Sequence, residues 1–154
     1  TKSKFKVEPT MSKELISELT QEIKWVKIQH PCPEETINNA EKAVGYPFPK
    51  ELRALLREMN GDGYLLLSAE EIVKQANLNR KVRQEYGDEE FTKELDKLIF
   101  FAENGCGDYY CYHADADGVI DETAIYIWEH EESCLKQVAS DMAELITRYY
   151  HDEI

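Results

Sequence analysis

Between residues 98 and 135 the chain has no lysine and no arginine, although the same stretch carries nine carboxylates. That gap makes the protein acidic. Residues 1–97 hold 16 Lys/Arg against 18 Asp/Glu, residues 136–154 hold 2 against 4, and the formal net charge is −13. A nucleic-acid backbone is bound by a basic footprint, which this segment opposes, so nucleic acid is not expected as a ligand. Long apolar runs are also missing. None approaches the roughly 18 residues of a membrane-spanning helix, and the basic start TKSKFKVEPT leads into no signal-type apolar segment. A soluble, cytoplasmic protein with no membrane partner is expected. The four cysteines (Cys32, Cys106, Cys111, Cys134) form no Cys-x-x-Cys pair and are expected to be free thiols. Gly-x-Ser-x-Gly and Gly-Lys-Ser/Thr are absent as well, which removes the usual starting motifs of serine hydrolases and phosphate-binding loops.

With 154 residues, 42% of them hydrophobic, the chain can bury one core but is short for two. SKELISELTQEIKWVKI sets Leu15, Ile16, Leu19, Ile23 and Val26 at three- and four-residue spacing, which predicts one helix, with Trp25 used in core packing. Pro33 suits the first position of a second helix, and Gly45 caps its end. A third helix starts at Pro49, buries Leu52, Leu55, Leu56 and Met59, and stops at Asn60-Gly61. GYLLL reads as a short strand. Ser68 with Glu71 forms a capping box that opens a fourth helix, and the polar stretch 85–97 is expected to be a mobile connection. From residue 98 the period changes: LIFFA, DYYCYH and TAIYIWEH predict an antiparallel meander, the third strand being interior because both its faces are apolar. After ESCLKQVAS, which is assigned no element, Ser140 is read as the cap of a last helix through Met142, Leu145, Ile146 and Tyr149.

The chemistry-bearing residues concentrate in FFAENGCGDYYCYHADADGVIDE, residues 100–122. HADADGVIDETA places Asp115, Asp117, Gly118 and Ile120 at calcium-loop positions, but His113 and Ala124 stand where the first and twelfth ligands belong, so a polar hairpin loop is expected instead. Cys106, Cys111, His113, His130 and Cys134 are zinc-type donors without zinc spacing. A nucleophilic Cys106, with His113 or His130 as base and Asp108 as orienter, would work against nine carboxylates that raise a thiol pKa. No catalytic residue, metal or cofactor is therefore expected. Asn104-Gly105 supplies a tight turn, Gly107 a bulge, and Asp108 an acceptor for turn amides. What remains is an acidic face for a basic protein partner, with Glu103, Asp108, Asp115, Asp117, Asp121, Glu122, Glu129, Glu131 and Glu132 as candidate contacts, of which Asp115, Asp117, Asp121, Glu122, Glu129, Glu131 and Glu132 are expected on one rim. The alternative is a small enzyme or ligand-binding domain using the carboxylates, Cys106 and His130 in a cleft.

AEKAVGYPFPKELRALLREMNG, residues 40–61, resembles the helix-Gly-x-x-Leu-Pro-helix-Asn-Gly signature of the SUKH superfamily, the Smi/Knr-type proteins. FFAENGCGDYYCYHAD resembles that family's strand, Gly-Asp turn and next strand, AIYIWEHE its Tyr-x-Trp-x-His-Glu strand, and VASDMAELITRYY its closing helix. Order and spacing agree over about residues 34–150. Phe48 stands where the family usually has Leu, and Cys106 fills the turn. The resemblance implies an α+β fold, helices packed on a mainly antiparallel β-sheet, as a single domain over residues 1–154 with 1–33 as an N-terminal helical extension. It further implies a non-catalytic protein. Bacterial members are largely immunity proteins that neutralise secreted toxins, often nucleases, and fungal relatives are regulators acting through protein contacts.

Because the candidate donors lack zinc and calcium spacing, chelation with EDTA is expected to leave the melting temperature unchanged. A large fall on chelation would refute that expectation.

Overall fold

The computed structural model describes residues 12–132 and 134–154. Residues 1–11 of the expected N-terminal extension lie outside the described residues. Helices α1 (Ser12–Leu19), α2 (Glu34–Val44), α3 (Lys50–Glu58) and α4 (Ala69–Glu85) come first. Strands β1 (Leu98–Glu103), β2 (Tyr109–His113), β3 (Ile125–Glu129) and β4 (Cys134–Ala139) follow, and α5 (Met142–Tyr150) closes the chain. The strands pair antiparallel in the order β1-β2-β3-β4. This is the α+β architecture, helices on an antiparallel sheet, that the sequence predicts.

Alternation along the strands divides the core in two. Ile99, Phe101, Tyr110, Tyr112 and Ile125 face the helices and join the main core with Ile37, Leu52, Leu56 and Leu145. Leu98, Phe100 and Cys111 point the other way and pack with Leu95, Tyr126, Trp128 and Leu135. Both sheet faces are thus apolar, and β3 is interior because β4 covers its far edge. β4 itself, with LKQ at its centre, alternates too weakly to be read from sequence. The register shifts lie in β1, where Phe101 is skipped between the pairs Phe100–Cys111 and Ala102–Tyr110, and between β3 and β4, where Val138 is skipped between Ile125–Ala139 and Tyr126–Gln137, and not at Gly107. No helix among the described residues is long and apolar enough to cross a membrane.

α1 is shorter than its apolar stripe. The Thr20 hydroxyl donates to the Ile16 carbonyl at 2.6 Å, and the chain leaves the helix to run extended beside the turn after α3. Lys27 N donates to Asp62 O at 2.8 Å, Gln29 N to Gly61 O at 3.0 Å, and Asn60 N to His30 O at 2.8 Å. These partners are distant in sequence, so a local periodicity cannot reveal them. Trp25 consequently lies on the surface, 61% exposed, and not in the core. GYLLL forms only an isolated bridge, Leu66 to Ala102. The stretch 85–97 contains two single 3₁₀ turns, with Leu95 and Thr92 buried. The Ser68–Glu71 capping box is present, whereas α5 is capped by Asp141, whose carboxylate accepts from Glu144 N at 2.8 Å.

The turn after α3 is organised by Asp62, which has no solvent exposure. One carboxylate oxygen accepts the amides of Tyr64, Leu65 and Leu66, each at 2.9 Å, and the other accepts the Tyr150 hydroxyl at 3.4 Å. Gly61, at φ +87°, has no room for a side chain: a Cβ there would lie 2.9 Å from Ser68 N and 3.1 Å from Leu66 O. Burial raises the Asp62 pKa, and the amide and hydroxyl donors only partly offset it. Since the folded-state value is raised, stability falls as pH rises from the unfolded-state value toward the folded pKa, and the loss is complete once Asp62 is ionised in the folded state.

Asp62→Ala is expected to destabilise the protein by about 3 kcal/mol or more, because buried amides lose their acceptor. Asp62→Asn keeps an acceptor oxygen without the charge, so urea unfolding should place it well above the Ala variant. Its stability relative to wild type should improve from acidic to neutral pH. Equal stabilities for the Ala and Asn variants would overturn the assignment.

Candidate partner-binding surface

The nine candidate carboxylates do not share one rim. β2 begins at the hairpin 104–108 and ends at the loop 114–124, and β3 runs back between that loop and the turn that follows Glu129. Asp115, Asp117, Asp121 and Glu122 therefore occupy one end of the sheet. Glu103, Asp108, Glu129, Glu131 and Glu132 occupy the other.

At the first end the carboxylates shape their own loop. Asp115 accepts from Asp117 N at 2.8 Å and Val119 N at 3.0 Å, and Gly118 turns the chain at φ +80°. Asp121 accepts from the Thr123 amide at 2.9 Å and hydroxyl at 2.6 Å, bonds that hold its carboxyl below the usual range. Glu122 accepts from Lys50 N at 2.8 Å, at the start of α3, which ties the loop to the helical layer. Only the Asp117 side chain has no hydrogen bond or ion pair in this loop among the described residues.

At the second end Asp108 reaches across to the next turn. It accepts from His130 N at 3.0 Å, and its Oδ1 lies 2.7 Å from His130 Nδ1. Asn104, and not Asp108, accepts from the turn amides, Cys106 N at 2.8 Å and Asp108 N at 3.3 Å. Partial burial pushes the Asp108 pKa up, but the bonds from His130 and Asn104 outweigh it and hold the carboxyl below its ordinary value. Glu129 pairs with Lys136 Nζ at 3.0 Å, whereas Glu131 has no such partner among the described residues. Glu103 is half-buried at the end of β1, where burial and then the charge of Glu71 raise its pKa.

Cys106, Asp108, Glu129, His130, Glu131 and Glu132 line a cavity of about 180 Å³. The cleft residues weighed in the sequence thus come together, but no hydrogen bond joins the Cys106 thiol to His130 among the described residues. The other zinc-type donors scatter. Cys111 is buried within the sheet, its pKa pushed up by burial, and His113 pairs with Glu94 at 2.6 Å at the far end of β2. Glu129, Glu132 and Cys134 have ligand atoms within 4.8 Å of one another and could hold a cation. Lys136 already neutralises Glu129 there.

A second cavity went unseen in the sequence. It has about 480 Å³ and is lined by Gln29, His30, Pro31, Asn60, Gly61, Gly63, Ser68 and Glu71. Tyr64, next in sequence to the lining residue Gly63, gathers Trp25, Tyr149 and Tyr150, each with ring centroids 6.1 Å away. A helix read through Thr20 hides this grouping, since it places Trp25 on the wrong element.

Gly107 sits at φ +94°, and a Cβ there would lie 3.0 Å from His130 Nδ1. Gly107→Val should therefore destabilise by about 1–3 kcal/mol and release His130 from Asp108, whereas Cys106→Ser, at an exposed position, should unfold like wild type. Chemical denaturation of both variants checks this. A Val variant as stable as wild type would remove the turn's assigned role.

No curated protein gives a significant match to the sequence. The family model of the SMI1 / KNR4 family (SUKH-1) matches residues 31–148, from the end of the extended strap through most of α5. That match covers α2, α3 and α4, the turn around Asp62, all four strands and most of α5, and on it the chain belongs to the SMI1 / KNR4 family (SUKH-1).

Proposed function

We propose that this protein is a non-catalytic immunity protein that binds and neutralises a bacterial toxin domain, such as a nuclease, by presenting acidic groups to the toxin's basic surface. The observation that carries the reading is the run of nine carboxylates without Lys or Arg over residues 98–135. Family membership supports it, because the SUKH resemblance implies binding proteins without catalytic residues. The competing cleft reading has less behind it: Asp108 engages His130 Nδ1, and no thiol–imidazole bond accompanies that pair among the described residues.

Charge of this kind acts over a Debye length, about 8 Å at physiological salt, and changes association rate more than final affinity. The partner would be the toxin domain encoded beside this gene. Surface-plasmon measurements should show binding whose association rate falls steeply with salt. Neutralising Asp115, Asp117, Asp121 and Glu122 to Asn or Gln, or Glu129, Glu131 and Glu132 to Gln, should each slow association by about tenfold at low salt. A folded wild-type protein that does not bind the toxin domain would refute the proposal. Binding with no salt dependence would reduce the acidic segment to a solvated face.

A further inference from the structure

Alternation along the strands leaves a second apolar face on the sheet, and only part of it is covered. On this side Leu98, Phe100 and Cys111 are buried, and the residues outside the strands that pack with them are Leu95 of the second 3₁₀ turn and Val82 of α4. Burial falls off toward β4. Tyr126, Trp128 and Leu135, on β3 and β4, are partly exposed, as is Tyr109 at the start of β2. The register sets three of these side chains in one row, because Tyr109 pairs with Trp128 and Trp128 with Leu135.

The rings of this row are held from the covered side. Phe100 stacks on Tyr109 with centroids 4.7 Å apart and lies 6.0 Å from Trp128, while His113 stands edge-on to Tyr126 at 6.1 Å. Aromatic groups fixed in this way lose little side-chain entropy when a partner covers them. Their polar atoms are unused: among the described residues the Trp128 indole N–H and the Tyr109 and Tyr126 hydroxyls make no hydrogen bond.

The surroundings select the chemistry of a partner. Both ends of this face are acidic, with the loop 114–124 at one and Asp108, Glu129, Glu131 and Glu132 at the other, and Glu103 pairs in register with Tyr109 at the β1 border. Arg83, Lys97 and Lys136, on α4, the 3₁₀ turn and β4, are each held in an ion pair, with Asp96 at 3.8 Å, Glu94 at 3.9 Å and Glu129 at 3.0 Å. An aromatic strip between two negative ends complements an apolar patch flanked by Lys and Arg. A second copy of this chain is a poor match, because it would bring its own net charge of −13 against the same carboxylates.

We infer that the open face of the sheet, the strip Tyr109–Trp128–Leu135 with Tyr126 beside it, is the surface that retains a basic protein partner, and that Trp128 is its central anchor. That the partner is the toxin domain rests on the immunity reading, whereas the face itself stands on the geometry of the sheet. Anchors of this type act on dissociation, and the carboxylates at the two ends act on association.

Protein labelled with 5-fluorotryptophan gives two fluorine resonances, from Trp25 and Trp128, assigned with Trp25→Phe. When the unlabelled neighbouring toxin domain is added, the Trp128 resonance is expected to move and the Trp25 resonance to stay. Trp128→Ala, and Leu135→Lys at a partly exposed position of β4, should each dissociate from the toxin domain about 30-fold faster at a little-changed association rate, while Trp25→Ala dissociates like wild type. A complex that forms without moving Trp128, or that releases folded Leu135→Lys at the wild-type rate, would overturn the open-face assignment and leave the toxin reading intact. If the toxin domain does not bind, unlabelled peptides decide. Trp128 shifts with amidated Arg-Leu-Phe-Leu-Arg and not with Glu-Leu-Phe-Leu-Glu would uphold the face for a basic partner, and equal shifts or none would remove it. A Trp128 resonance that moves with protein concentration alone, with a dimer in sedimentation, would give the face to a second copy and overturn the proposal.

Discussion

A single buried carboxylate holds the centre of this structure together. Asp62 collects three consecutive amides on one oxygen and thereby bends the chain into the turn to which other elements attach. The strap hydrogen-bonds to the carbonyls of Gly61 and Asp62, Leu65 and Leu67 bond to β1, and Tyr150 of α5 reaches the second carboxylate oxygen. Three converging donors in so tight a turn need one compact acceptor with several lone pairs, which a carboxylate supplies. The cost is a charge out of water, visible as a raised pKa. Glu51 plays a similar part on the other side of the core, accepting from Tyr112 Oη at 2.7 Å and Met142 N at 3.0 Å to join α3, β2 and α5.

The same chemistry governs the acidic segment. Its carboxylates are not equivalent members of one patch. Asp115 and Asp121 fold their own loop, Glu122 ties that loop to α3, and Asp108 clasps the next turn through His130. A carboxylate satisfied in this way still contributes to the long-range field, because a hydrogen bond from a neutral amide leaves its charge in place. It is less available for a new short-range contact. Field and contact are therefore separable properties, and the surface that attracts a basic partner need not be the surface that retains it.

Much of the fold was legible because it rests on short-range rules. Pro33, Gly45, Pro49 and the Ser68–Glu71 box mark helix ends where they occur, and the change from helical spacing to alternation at residue 98 marks the sheet. The errors share an origin in hydrogen-bonding partners that a segment's own periodicity does not reveal. α1 ends early because the strap finds the turn at Gly61–Asp62, GYLLL bends because Asp62 captures its amides, and β4 exists because β3 offers it an edge.

For the site, the sequence by itself determined the composition: nine carboxylates, no compensating Lys or Arg over residues 98–135, and no spacing suited to zinc or calcium. Only the tertiary structure decided their placement, because antiparallel pairing sends alternate turns to opposite ends of the sheet and so divides one run of sequence into two groups. Tertiary structure also placed Trp25 beside Tyr64, 39 positions apart by their residue numbers. Local propensity acts over a few residues, whereas such contacts depend on where the whole chain returns, and that is set by the packing of the common core.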